Sequence, residues 1–144
     1  MDVNLKGTFL ISKASIPFLK KSKASRIVNI SSTYGLVSPN PEIYGNSGIN
    51  SPVSYAASKS GIVNLTRYMA IHLAKYNINV NALSPGGILN NQDKRFVEEY
   101  SKRTPLGRMS NVDDYSTSIL YLMSPFSSYL TGENIVVDGG WTAW

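Results

Sequence analysis

Three short runs rich in β-branched residues constrain this chain more than any other feature. They are Arg26-Ile27-Val28-Asn29-Ile30, Ile78-Asn79-Val80-Asn81-Ala82-Leu83 and Asn134-Ile135-Val136-Val137-Asp138. Each ends abruptly, at Ser31-Ser32, at Ser84-Pro85-Gly86-Gly87 and at Gly139-Gly140. Such runs read as buried strands, and Gly, Pro and Ser punctuate them. Long stretches at helical spacing lie between. In residues 2–22, Leu5, Phe9, Ser12, Ile16 and Leu19 fall near one stripe, with Pro17 kinking the helix or ending its regular part. In residues 53–76, Ile62, Leu65, Met69, Leu73 and Tyr76 mark one face, and Ala56, Ser60, Val63, Ala70 and Ala74 give a flatter one suited to close packing. Asn77 is the expected stop. Further helices are expected within 92–102 and at 111–123, the latter with Ser110 or Asn111 as N-cap ahead of Asp113 and Asp114. Strands alternating with long helices imply a parallel sheet covered on both faces. The expected fold is α/β, a partial doubly wound sheet of three strands, whose edges a parallel sheet would normally have covered.

Composition narrows the chemistry. The chain has 144 residues, the size of one domain, with 42% hydrophobic and 16% charged residues, a globular balance. It has no cysteine, which excludes thiolate chemistry, and one histidine, His72, which excludes a multi-histidine metal site; no metal is expected. No apolar run reaches the roughly 18 residues of a membrane span, so no membrane partner is expected. Met1-Asp2-Val3-Asn4-Leu5-Lys6 lacks the pattern of a signal peptide, and the expected location is cytoplasmic. The net charge of +5 lies wholly within residues 1–26, where Lys6, Lys13, Lys20, Lys21, Lys23 and Arg26 face Asp2 alone. That excess suits a solvated helix end, where cations complement the dipole, better than a nucleic-acid surface.

Tyr55 and Lys59 stand one helical turn apart in Ser54-Tyr55-Ala56-Ala57-Ser58-Lys59-Ser60-Gly61, so their side chains share a face. An ammonium near a phenol favours the phenolate. Bringing a tyrosine from about 10 to near neutrality takes roughly 4 kcal/mol of differential interaction, and a general acid/base works best there. The pair alone is a weak signal, and its surroundings strengthen it. Ligands of open parallel sheets bind beyond the carboxyl ends of strands. Ser32 follows one strand, Pro85-Gly86-Gly87 follows the next, and Tyr55 and Lys59 open the helix between them. A hydroxyl, a phenol and an ammonium therefore converge on one crevice. Residues 33–53, with Pro39, Pro41, Gly45, Gly48 and Pro52, read as a long loop beside it.

With these residues in place, the sequence resembles the short-chain dehydrogenase/reductase family over essentially its whole length. The resemblance is carried by Asn4-Leu5-Lys6-Gly7, Ile27-Val28-Asn29-Ile30-Ser31-Ser32, Tyr55-Ala56-Ala57-Ser58-Lys59, Val80-Asn81-Ala82-Leu83-Ser84-Pro85-Gly86 and Val136-Val137-Asp138-Gly139-Gly140, in the family's order. It implies an NAD- or NADP-dependent oxidoreductase that interconverts alcohol and carbonyl on a small-molecule substrate. It implies that Tyr55 exchanges the proton, that Lys59 lowers its pKa and bonds the nicotinamide ribose, and that Ser32 rather than Ser31 holds the substrate oxygen. It further implies that Asn4 links Lys59 to solvent through a water. The backbone around Pro85, Gly86 and Ile88 would face the nicotinamide amide. A homo-oligomer through helices 2–22 and 53–76 is implied as well, as is a lid over the substrate in residues 88–108.

The departures from the family pattern carry expectations of their own. The glycine-rich phosphate loop, Thr-Gly-x-x-x-Gly-x-Gly, does not occur in the sequence. Residues 1–144 thus look like the carboxyl-terminal catalytic part of a single Rossmann-type domain, with little turnover expected from the chain alone. Ser32 and Tyr55 stand 23 positions apart, against roughly a dozen in the family, which makes 33–53 an extended active-site loop. Asn90 or Asn91 stands where relatives often carry a cofactor-touching threonine, and His72 reads as a helix-surface or interface residue. The loop and the Asp138-Gly139-Gly140-Trp141-Thr142-Ala143 ending resemble dehydrogenases of flagellin modification and acidic nine-carbon sugar pathways, which implies a sugar or sugar-nucleotide and a place in surface-glycan synthesis. The competing expectations are an epimerase or dehydratase of the extended relatives, which also use Tyr-x-x-x-Lys, and a non-catalytic association fragment.

Overall fold

The computed structural model describes residues 1–46 and 50–144; Gly48, read above as part of the loop, lies outside the described residues. Helix α1 spans Thr8–Leu19, strand β1 Ser25–Ile30, helix α2 Val53–Leu73, strand β2 Ile78–Pro85, helix α3 Lys94–Arg103, helix α4 Ser116–Met123 and strand β3 Asn134–Val137. The strands form one parallel sheet in the order β1-β2-β3, with Ser25 opposite Ile78, Ile30 opposite Leu83 and Pro85 opposite Val137. The α/β architecture expected from the sequence is the one observed.

Strand β2 lies in the middle and is buried almost throughout. Its alternate side chains serve two cores. Ile78 and Val80 pack against Met69, Ala70 and Leu73 of α2, with Ile16 and Leu19 of α1 closing the edge. Leu83 meets Leu122 of α4 and Tyr115 on the other face. Each fully buried aliphatic side chain contributes about 1.5–3 kcal/mol, so the central strand is the main anchor of the sheet.

The helix boundaries follow the local chemistry. Asn77 adopts a left-handed φ of 57° and stops the run from α2, as its sequence position suggested. Asn111 and Asp114 form a reciprocal capping box that starts the turn leading into α4. Two expectations need correcting. Residues 2–22 are not one regular helix, because Asp2–Gly7 forms a π-helical turn, and Phe9 of the expected buried stripe is 45% exposed. The rest of the stripe holds, with Ser12 buried and Leu5, Ile16 and Leu19 half-buried. The loop 33–53 is also not structureless. It holds 3₁₀ turns at Thr33–Gly35 and Pro41–Tyr44, and Ile43 is only 2% exposed. Burial of Ile43 against Tyr100, Met109 and Trp141 supplies the stabilisation that a polar surface insertion would lack.

Candidate active site

Strand β1 delivers two serines to the sheet's carboxyl edge, and they separate at once into different roles. Ser31 is 1% exposed, and its hydroxyl donates to the Lys59 carbonyl at 2.7 Å, pinning helix α2 to the strand end. Gly35 permits that approach, since a Cβ there would lie 2.8 Å from the Lys59 carbonyl carbon. The Ser32 oxygen accepts from the Tyr34 N–H at 3.2 Å, which leaves its own proton to donate elsewhere. Ser32 faces a cavity that Tyr55 also lines. A second pin lies deeper, where buried Asn29 donates to Thr66 of α2 at 2.8 Å.

Lys59 reaches back along the same joint. Its ammonium donates to the Ile30 carbonyl at 2.9 Å and stands 5.6 Å from the centroid of the Tyr55 ring. Partial burial pulls the Lys59 pKa below its ordinary value. Asn4, on the π-helical turn, does not bond Lys59 itself. Its amide donates to Ser58 at 3.1 Å, and the Ser58 hydroxyl donates to the Tyr55 carbonyl at 2.7 Å. Asn4 is therefore tied to the first turn of α2 beside the pair. Close packing of the two segments depends on Gly61, where a Cβ would come within 2.9 Å of Leu5.

The opposite wall is the Pro85-Gly86-Gly87-Ile88 segment that leaves β2. Its backbone is held by Tyr100 and Tyr115, which the sequence reading did not single out, and by Ser110, read there only as a possible helix cap. The Tyr100 hydroxyl accepts from the Gly87 N–H at 2.7 Å, and Ser110 donates to the Gly87 carbonyl from both its N–H and its hydroxyl, each at 3.0 Å. The Tyr115 hydroxyl donates to the Gly86 carbonyl at 3.2 Å and also bonds Ser110. Burial pushes the Tyr100 phenol up to about 12, so it stays neutral as a fixed prop. Tyr100 in turn stacks on Trp141, with ring centroids 4.1 Å apart and planes 12° apart. The spacing of Phe96 and Tyr100, one helical turn apart on α3, was the available sign of this inward face.

Together these elements enclose a cavity of about 480 Å³, the size range of small-molecule sites. Ser32, Tyr55, Pro85, Gly86 and Ile88 all line it, while Lys59 lies behind Tyr55 and Asn4 beneath the helix turn. Tyr34 and Tyr44 from the 33–53 segment complete the rim. Burial, with the Tyr44 hydroxyl as the next cause, holds the Tyr34 phenol far above its ordinary value. Asn90 and Asn91 are exposed outside this wall, and His72 lies on the surface of α2 with its ring 4.1 Å from that of Tyr68.

A phenol, a hydroxyl with a spare proton and an ammonium grouped at a strand end form a proton-handling site. Comparison with known proteins places the chain in a family. Residues 1–142 match the family model described as enoyl-(acyl carrier protein) reductase. The chain belongs to the short-chain dehydrogenase/reductase family. It is 36% identical over 141 residues to the post-translational flagellin modification protein A of Campylobacter coli, covering 98% of this chain and 55% of that protein. Among solved structures, it is similar to a short-chain dehydrogenase from Leptospira borgpetersenii with bound NAD+, at 44% identity and a TM-score of 0.91, covering 97% of this chain and 54% of that one. A gluconate 5-dehydrogenase from Burkholderia cenocepacia, in complex with NADP and tartrate, matches at 30% identity and a TM-score of 0.85, covering 100% of this chain and 55% of that one. The chain spans about half the length of the relatives it matches.

Proposed function

We propose that this chain carries the proton-transfer part of an NAD- or NADP-dependent oxidoreductase that interconverts an alcohol and a carbonyl. The observation that carries the reading is the grouping of Ser32, Tyr55 and the Pro85–Ile88 backbone on one cavity, with the Lys59 ammonium pinned behind Tyr55. In the oxidative direction, the Tyr55 oxygen takes the proton of the substrate hydroxyl, and in reduction it returns a proton to the forming alkoxide. The Ser32 hydroxyl donates to the same substrate oxygen and fixes its position. Lys59 supplies positive charge beside the phenol, and its remaining N–H groups suit a ribose hydroxyl.

The residues present fit the nicotinamide end of the cofactor. A phenol and the backbone of Pro85, Gly86 and Ile88 face one space of suitable size, with the Lys59 ammonium behind the phenol. When bound, the nicotinamide would donate or accept the hydride. The sequence contains no glycine-rich segment to cradle a pyrophosphate.

A sugar or sugar-nucleotide is the proposed substrate, with the flagellin modification protein and the gluconate dehydrogenase among the relatives as support. A role in surface-glycan synthesis rests on the first of these. Segments 33–53 and 88–108 act in this reading as substrate loop and lid, since both contribute to the cavity rim. The reading extends to a homo-oligomer formed through α1 and α2. In support, Leu10, Ile11 and Phe18 of α1 and Ile71 of α2 expose apolar surface that such a contact would cover. No helix among the described residues is long and apolar enough to cross a membrane, and a cytoplasmic setting is proposed with the rest.

The test is Tyr55→Phe in the full-length protein, assayed by nicotinamide absorbance against polyols and sugar acids. Turnover should fall by about 10²–10⁴-fold while cofactor binding persists. Turnover at the wild-type rate would remove Tyr55 from the chemistry.

A further inference from the structure

A second cavity, of about 600 Å³, adjoins the first. Tyr44, Gln92 and Phe96 line both, so the two open on either side of one ridge, where the Tyr44 and Phe96 rings stand 5.4 Å apart. On the far side of the ridge the lining includes Arg95, the second residue of α3. The Arg95 guanidinium lies against Gly45, where a Cβ would come within 2.9 Å of its central carbon and 3.0–3.1 Å of two of its nitrogens. Gly45 has a φ of +54°, so glycine suits this position both for the backbone and for the space the guanidinium needs.

Arg95 makes no close ion pair, although the Glu99 carboxyl one turn along α3, held low chiefly by Lys102, also feels its charge. Arg103 pairs with Glu42 and Arg108 with Asp114, whereas among the described residues no carboxylate lies within ion-pair distance of Arg95. Asp93 also lines this cavity, but its Oδ1 accepts from the Arg95 and Phe96 N–H groups as the helix cap. An exposed guanidinium lying against Gly45, without a close carboxylate and across the Tyr44–Phe96 ridge from the first cavity, suits an oxyanion.

We propose that Arg95 determines specificity by binding an anionic group, carboxylate or phosphate, carried by the substrate at the end remote from the reacting carbon. This rests on the oxidoreductase reading for the position of the reacting carbon. The substrate then spans the ridge, with its reacting oxygen at Ser32 and Tyr55, its apolar or ring portion over Tyr44 and Phe96, and its anion at Arg95. Uncharged polyols lack the last contact and bind more weakly.

The experiment is calorimetric titration of the full-length protein with tartrate and, separately, with inorganic phosphate, for wild type, Arg95→Ala, Arg95→Lys and Tyr55→Phe. Saturable binding is expected for the wild type. It should weaken about tenfold to a hundredfold in Arg95→Ala, be partly restored in Arg95→Lys and be unchanged in Tyr55→Phe. The tighter of the two anions identifies the group. Equal binding in Arg95→Ala, or no saturable binding of either anion below about 10 mM, overturns the proposal. Loss of anion binding in Arg95→Ala alongside undiminished turnover in Tyr55→Phe would sink the assignment of the chemistry while leaving the anion site standing.

Discussion

Two walls of the candidate-site cavity are built by different means. The wall formed by β1 and α2 is joined by short polar bonds, with Ser31 on the Lys59 carbonyl, Lys59 on the Ile30 carbonyl and Asn29 on Thr66. The wall formed by the 33–53 segment, α3 and the carboxyl-terminal turn is joined chiefly by packed side chains, Ile43, Tyr100, Met109 and Trp141, with polar bonds such as Tyr100 to Gly87 tying it to the β2 exit. Hydrogen bonds fix direction to within a few tenths of an ångström, as a proton-transfer group requires. Apolar packing fixes volume and tolerates exchange of one side chain for another of similar size. The first wall thus suits a constant reaction and the second a substrate that differs between relatives.

The contrast can be broken first by Trp141→Ala. Removing a 7%-exposed ring that stacks on Tyr100 should cost about 3–5 kcal/mol in denaturant unfolding of the full-length protein. Amide-exchange protection around Ser31 and Lys59 should stay as it was. If that protection falls with the packing, the two walls are one cooperative unit and the division fails. Ser31→Ala attacks the other side. It removes the bond from β1 to the Lys59 carbonyl and should cost about 0.5–1.5 kcal/mol, with faster amide exchange in the first turns of α2 and none added near Trp141.

The smallest effect concerns acid. The Arg108 guanidinium and the Asn111 N–H hold the Asp114 carboxyl down at about 2, from an ordinary value of 3.8. A carboxyl lowered by folding stabilises the fold above its unfolded value, and that contribution fades as the pH falls from 3.8 towards 2. The pair is exposed, so the loss should be slight and local to the start of α4. An NMR titration reading the Asn111 amide checks this, and a midpoint near 4 would show the pair to be absent in solution.

The first wall and the strand end at Pro85 were largely legible in the sequence because their parts are local or punctuated. Tyr55 and Lys59 lie one turn apart, and Ser32, Pro85 and Gly86 each follow a β-branched run that ends abruptly. The strands, their parallel arrangement and the stop at Asn77 followed from the same signals. The second wall was not legible because its contacts join distant positions. Nothing near Ile43 announces that it meets Tyr100 and Trp141, and the Pro, Gly and Asn around it read as a plain loop. The role of Tyr100 under Gly87 depends on a turn whose direction is set only once α3 packs. The π-helical turn at Asp2–Gly7 was hidden for a subtler reason, since a single wider turn uses the same residue types as a regular one.

The joint between Ser31 and residue 59 runs through a main-chain carbonyl, a group that every amino acid supplies. The ammonium at that position adds the reach to Ile30 but is not what pins the helix. A lineage can therefore exchange Lys59 for another residue, lose the reaction and still inherit the shape. Such descendants would drift as intact scaffolds, free to be recruited for binding. A motif search for the tyrosine and lysine would pass over them, whereas a search for a strand-end serine facing a helical carbonyl would find them.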